Sequence, residues 1–376
     1  MTRVVRQPHD RLMQLSSTLS WLVDAASETA GADRLLAELG AHLVEDGLPL
    51  AGGALTLGVP HPLIARRTWL WRAASGEVIE ALGFAPGGPA AMQEANPLDD
   101  AGRRWLAGIA VGLVHKDTIG PRRDAPSLSW IGPRPFTLSE TNQLRQAARF
   151  AAAPLAALAA RATLTATVEA YLGRRSAARV LAAPLRRNIG ETIQAALLVA
   201  DLRGFTALSD SNPPTQVISA LDAWFDRIAG AVHAFGGEVL KFIGDGVLAI
   251  FPVVDGAPQA ACDAALRAVS AARAGMAHLD KERHRQGLPP LPFGAALHLG
   301  EMLWGNIGAA DRLDFTAIGP AVNLVSRLEG LCRPLGKTVL VSGALAAETE
   351  TPLIALGTHV LRGIASPCAV FTLPDA

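Results

Sequence analysis

The chain has 376 residues, half of them hydrophobic, with 34 Lys plus Arg balanced by 34 Asp plus Glu. That length exceeds what one domain normally holds, so two domains are expected, each with ample material for a core. A formal net charge of +0 argues against non-specific attraction to nucleic acid or to acidic membranes.

Cys262, Cys332 and Cys368 lie far apart and form no CxxC pair. They suggest neither a zinc site nor a disulfide framework, and a reducing cytoplasm is the simplest setting. The opening MTRVVRQPHDRLMQ has no apolar signal region. The apolar stretch from Phe150 to Ala160 is interrupted by Pro154 and stops at Arg161, which is short for a bilayer span. A soluble, cytoplasmic protein with no membrane span is expected.

Residues 8–46 carry helical periodicity, as in Leu12, Leu15, Leu19 and Leu22. GGALTLGV and RTWLWRA read as strands, with Trp69 and Trp71 on one face. GFAPGGPAAMQEANPLDD reads as loop. A long helix begins near FTLSETNQLRQ, where Thr137 and Glu140 have capping-box spacing, and Pro154 is placed to kink or divide it. This order of helix, strands, loop and closing helix resembles a GAF-type sensory domain. The resemblance implies an α+β regulatory domain over 1–160, responding to an unknown small molecule or protein. His61, Trp69, Trp71, His115 and Trp130 are the residues suited to a pocket there, and equally suited to packing. Residues 161–190 read as a helical linker.

From about residue 191 the texture changes. AALLVAD (Ala195–Asp201) is a buried strand ending in a carboxylate, and Pro214–Phe235 is helical. GGEVLKFIGDGVLAIF (Gly236–Phe251) is a hairpin with Gly-Asp-Gly at the bend. Ala257–Arg285 is helical, and FGAALHLGEMLWGNIG reads as a second hairpin. Ile318–Leu331 is a helix, and KTVLVS, THVLRG and AVFTL are strands. Hairpins between helices favour an α+β fold over a doubly wound parallel sheet.

Asp201 ends one strand and Asp245 sits at a hairpin tip. If those strands are neighbours, two carboxylates converge and repel unless a cation lies between them. Oxygen donors suit Mg²⁺ or Mn²⁺, which also keep phosphate oxygens. The N–H groups of Leu202 to Thr206, near a helix start, are placed to cradle phosphate. Either Asp alone is explained by turn chemistry; the pair is not. Lys241 is a charge inside a nearly apolar hairpin and needs a partner, a ligand or water. Asn323 and Arg327 are four apart on a helix and face the same way.

VADLRGFTALSD, then GGEVLKFIGDGVLAIF, then GNIGAADRLDFTAIGPAVNLVSRLEGL, resemble the catalytic domain of class III nucleotide cyclases, over about Ala195 to Leu373. The resemblance implies a ferredoxin-like α+β domain over 191–376 that works as a head-to-tail homodimer with shared sites. It implies an adenylate cyclase that converts ATP to cyclic AMP and pyrophosphate. Asp201 and Asp245 then hold two divalent metals, and Lys241 and Thr316 read the adenine. Phe205 and Thr206 lie on the phosphate turn. Asn323 positions the ribose, and Arg327 stabilises charge on the α-phosphate. Arg362 and Arg312 are further candidates for phosphate. Lys at position 241 favours ATP, where guanylate cyclases of the family carry Glu. Thr316 stands where Asp is commoner, and resembles a subclass often responsive to bicarbonate. The competing expectations are a catalytically silent cyclase-like module that binds nucleotide or a partner, and, more distantly, a diguanylate cyclase suggested by GGEV.

Overall fold

In the computed structural model, which describes residues 16–58, 64–84, 114–120, 125–182, 189–309 and 311–374, contacts divide the chain into two units, Met1–Leu164 and Thr165–Ala376. The first opens with α1 (Ser17–Asp24) and α2 (Ala32–Glu45). Strands β1 (Gly52–Gly58), β2 (Ile64–Arg72), β3 (Val78–Phe84), β4 (Val114–Thr118) and β5 (Ser127–Ile131) form one antiparallel sheet, ordered β3-β2-β1-β5-β4. Leu35, Leu36, Leu39 and Leu43 of α2 supply the buried stripe. Gly40 lets the sheet approach: a Cβ there would sit 2.5 Å from the Trp71 ring. Trp71 meets Trp130 edge-on at 6.4 Å, so Trp69, Trp71 and Trp130 are core residues. His115 pairs with Asp117 at 2.7 Å. His61 and most of the Gly/Pro-rich loop lie outside the described residues.

The expected capping box is present, with Thr137 and Glu140 satisfying each other's backbone at the start of α3 (Leu138–Phe150). The helix divides near Pro154, and α4 (Ala152–Leu172) follows. Taken together, Leu138–Leu172 is long and apolar enough to cross a membrane by length and composition, with a mean hydropathy of 1.3 in its most apolar window. The expectation drawn from Phe150–Ala160 alone counted a shorter stretch. A glycine turn then leads to α5 (Arg174–Ala182).

The second unit is built on β6 (Ile189–Leu202), α6 (Phe205–Ser211), α7 (Pro214–Ala234), β7 (Glu238–Ile243), β8 (Gly246–Pro252), α8 (Pro258–Arg285) and β9 (Phe293–Gly308). The sheet order β9-β6-β8-β7 is the fourth-first-third-second order of a ferredoxin-like βαββαβ unit. Then come β10 (Leu313–Ile318), α9 (Pro320–Glu329), β11 (Val339–Ser342), α10 (Gly343–Ala346), β12 (Ile354–His359) and β13 (Cys368–Thr372). The run AALLVA is apolar throughout because β6 is covered on both faces. Ala196, Leu198 and Ala200 face one core with Trp224 and Val269 of α7 and α8. Ala195 and Leu197 face another with Val325 and Leu328 of α9.

Two expectations need correction. FGAALHLGEMLWGNIG is one strand, paired with β6 from Leu202↔Phe293 to Ile189↔Asn306 without a break. Gly300 marks close approach rather than a turn: a Cβ there would lie 2.7 Å from the Cβ of Ala321 on α9. The reversal comes later, after Gly308, and leads into β10. THVLRG contributes only its start, since β12 ends at His359 and Arg362 lies in the following turn.

His298 on β9 is buried, with Nδ1 2.8 Å from the Ser342 hydroxyl. That hydroxyl also accepts the N–H of Leu345 at 3.4 Å. Burial pushes the His298 pKa down to about 4. The unfolded chain therefore binds the extra proton first, and this stabilisation is complete above about pH 6.5 and lost as pH falls towards 4. Denaturant titrations of His298→Gln should show a flatter acid limb than wild type, by up to about 3 kcal/mol across that window. Equal pH slopes would remove His298 from the account.

Candidate active site

The end of β6 and the β7–β8 turn are neighbours because β6 pairs with β8, Ala200 opposite Val247. Asp201 is thereby brought against the hairpin tip. Gly246 keeps the turn tight, since a Cβ there would sit 3.1 Å from the Ile243 carbonyl oxygen. The tip is pinned from behind, where the Trp224 indole donates to the Asp245 carbonyl at 2.9 Å. The two carboxyl groups are electrostatic neighbours. Burial, Asp245 and Glu329 together push Asp201 up to about 7. Arg203 pulls the other way and is too little to offset them.

Arg203 and Glu329 are a pair that the sequence did not announce. Arg203 Nη2 lies 2.6 Å from Glu329 Oε1. Gly294 leaves the passage open, since a Cβ there would fall 1.6 Å from that nitrogen. Glu329 is thus committed to Arg203, across the sheet end, rather than to Arg327 on its own helix. The Arg203 backbone N–H is also taken, by the Pro292 carbonyl at 2.7 Å. The phosphate cradle expected over Leu202–Thr206 is correspondingly shorter. It starts at Gly204, whose φ of 72° is a left-handed turn that favours glycine, and runs into the first N–H groups of α6.

A cleft of about 790 Å³ opens here, lined by Asp201, Asp245, Phe205 and Thr206. It also holds Arg333 and Lys337, two cationic side chains on the far wall that sequence reasoning missed. Among the described residues no three His, Cys, Asp or Glu side chains cluster to hold a metal ion. The donor set is therefore two carboxylates. Asp201 is raised by burial first and by its acidic neighbours second, a charge environment that a divalent cation would relieve. An oxygen-only pair with room beside it fits Mg²⁺ or Mn²⁺, whose shells are completed by water or phosphate.

The remaining candidates do not line this cleft. Lys241 is half-buried on β7 and forms an ion pair with Asp314 of β10. A bulge between Val239 and Lys241 shifts the strand register there and re-aims the lysine away from Val239's core face. Thr316 lies two residues past Asp314, on the same side of β10. Asn323 and Arg327 are exposed on α9, whose Val325 and Leu328 are buried. One chain therefore presents two separate groups, carboxylates with the phosphate turn on one side, and Lys241, Thr316, Asn323 and Arg327 elsewhere.

Residues 189–350 match the family described as the adenylate and guanylate cyclase catalytic domain. This chain is 32% identical over 170 residues to adenylate cyclase 1 of Rhizobium meliloti (strain 1021), covering 44% of this chain and 25% of that protein. It is 31% identical over 160 residues to adenylate cyclase of Anabaena cylindrica, covering 42% of this chain and 31% of that one. Its sequence is also 26% identical to the solved adenylyl cyclase CyaB from P. aeruginosa, covering 50% of this chain and 97% of that chain with a TM-score of 0.45. The chain spans between a quarter and a third of those two adenylate cyclases.

The raised Asp201 sets a sign for the metal-free protein. Its folded pKa of about 7 exceeds the ordinary 3.8, so the stability it lends is complete below about pH 4 and lost as pH rises through 7. In chelator, Asp201→Asn should be more stable than wild type at pH 8, by about 1–2 kcal/mol once solvent screening of a half-buried group is allowed for. The gap should close towards pH 4. Urea titrations at both pH values measure it, and a variant less stable at pH 8 would contradict the crowding argument.

Proposed function

We propose that this chain is an adenylate cyclase, converting ATP to 3′,5′-cyclic AMP and pyrophosphate at a site shared by two copies. The observation that carries this reading is the Asp201–Asp245 pair, crowded at the sheet edge beside a cleft of about 790 Å³, in a stretch that matches the cyclase catalytic family. The division of the candidate residues into two groups supports a second copy. A head-to-tail partner would bring Lys241, Thr316, Asn323 and Arg327 to the carboxylates that they do not reach within one chain.

Asp201 and Asp245 would hold two divalent cations, Mg²⁺ or Mn²⁺. When bound, such ions neutralise the triphosphate and lower the pKa of the ribose 3′-hydroxyl. The chain's own residues orient the rest. The first N–H groups of α6, at Phe205 and Thr206, and the cations Arg333 and Lys337 surround the triphosphate. Lys241 donates from its ammonium to an acceptor on the adenine ring, and the Thr316 hydroxyl completes the base contact. Asn323 fixes the ribose so that the 3′-oxygen stands in line with the α-phosphorus. The 3′-hydroxyl gives its proton to water, the 3′-oxygen–phosphorus bond forms as the bond from the α-phosphorus to the bridging oxygen breaks, and that electron pair leaves with pyrophosphate. Arg327 meets the charge that develops on the α-phosphate, a donor worth roughly 3–4 kcal/mol to the transition state. Arg362, in the turn after β12, is a more distant phosphate candidate.

Residues 1–160 act in this reading as a GAF-like regulatory domain, joined to residues 191–376 through the helical stretch 161–190. Their small-molecule or protein regulator is of unknown chemistry.

Product analysis tests the proposal. Purified full chain is incubated with ATP or GTP and Mn²⁺ or Mg²⁺, beside Asp245→Ala, and products are separated with mass detection. Cyclic AMP from wild type and a loss of at least about a hundredfold in Asp245→Ala are expected. Cyclic GMP would refute the base assignment to Lys241 and Thr316. Tight ATP binding without product would favour the silent binding module.

A further inference from the structure

Glu238 has no role in the site described above. It opens β7, ahead of Lys241, and is 4% exposed. A carboxylate that deep needs its charge met. Among the described residues it makes no ion pair. Instead it accepts the backbone N–H groups of Arg175 at 3.2 Å and Ser176 at 2.9 Å, and the Ser176 hydroxyl at 2.6 Å. These donors begin α5, where the helix dipole is positive. Gly173 makes the contact feasible: its φ is +81°, and a Cβ on it would lie 3.0 Å from Glu238 Oε1. Three donors on one buried carboxylate, from a segment more than sixty residues earlier, form a latch between α5 and β7.

The same helix is held at a second point. The Arg179 guanidinium stacks 4.3 Å above the Trp304 ring and also pairs with Glu191. Trp304 meets Phe315 at 5.6 Å, and Phe315 separates Asp314 from Thr316 on β10. Val180 packs on the cluster that contains Leu240, Phe315 and Ala317, the apolar neighbours of Lys241 and Thr316. One short helix is therefore tied directly to the strand of Lys241 at its start and, further along, through Trp304 of β9 and its contact with Phe315, to the strand of Thr316.

We propose that α5 sets the geometry of the base-recognition face, with Glu238 and Arg179 as positioning residues that act through β7 and β10. The Lys241–Asp314 ion pair bridges these two strands, so a shift of α5 changes where the ammonium points. Because α5 is the helix that leads into the catalytic sheet, displacing it is the route by which a change earlier in the chain reaches the nucleotide. The role given to Lys241 and Thr316 rests on the cyclase reading. The mechanical link between α5, β7 and β10 does not.

The test uses the full chain and the double variant Ser176→Ala/Arg179→Ala, which spares the buried carboxylate its two backbone donors. Hydrogen exchange without nucleotide should quicken about tenfold in Arg174–Ala182, and also in Glu238–Ile243 and Leu313–Ile318, with Pro258–Arg285 unchanged. The KM for ATP should rise about tenfold with kcat changed less than about twofold, since base placement is altered and phosphate chemistry is not. Faster exchange confined to α5, or spread over Pro258–Arg285 as well, would overturn the proposal. So would an unchanged KM. If wild type turns over no nucleotide, the cyclase reading fails and the exchange result alone decides the coupling. Glu238→Gln, which keeps an acceptor for Ser176, should reproduce the exchange pattern in milder form.

Discussion

Everything at the candidate site follows from placing two carboxylates against each other at the end of a sheet. β6 and β8 are neighbours because the βαββαβ order makes them so, and their register puts Asp201 beside the hairpin tip that carries Asp245. The cost is visible in Asp201, pushed up to about 7 by burial and by the charges around it. The surroundings hold that arrangement rather than relax it. Trp224 fixes the tip, Gly246 keeps its turn tight, and Gly294 admits Arg203 to Glu329. A protein of this kind stores a charge imbalance that a cation and a phosphorylated substrate can relieve.

The rest of the second unit supplies what a single sheet edge cannot. β6 is buried on both faces, so helices can stand on either side and carry different duties. α7 and α8 provide mass and anchor the hairpin. α9 buries Val325 and Leu328 while turning Asn323 and Arg327 outward. The separation of these residues from Asp201 and Asp245 within one chain makes the second copy a geometric requirement of the proposed chemistry.

Much of this was legible in the sequence, for identifiable reasons. Asp201 and Asp245 stand at chain reversals, and turns are governed by local rules that Gly-Asp-Gly and Leu-Arg-Gly-Phe-Thr obey. The Thr137–Glu140 capping box is likewise local. What stayed hidden was long-range or depended on which of two uses a glycine has. Gly300 looked like a turn and proved to be a contact with Ala321. Asp314 and Glu329 are ordinary surface acids in sequence and become partners of Lys241 and Arg203 only after folding. Glu238 sat unnoticed in GGEV because nothing nearby in sequence reveals that it will be capped by Ser176. Arg333 and Lys337 reach the cleft from a segment with no motif of its own.

The central claim is that two chains complete one site, and a mixing experiment tests it most directly. Asp201→Ala removes the carboxylate side, and Arg327→Ala removes the α9 side. Each alone should be nearly inactive. After exchange of chains, heterodimers should carry one intact site, and random pairing should restore about a quarter of the wild-type cyclase activity. Activity that stays at the sum of the two variants, with heterodimers shown to be present, would contradict the shared site.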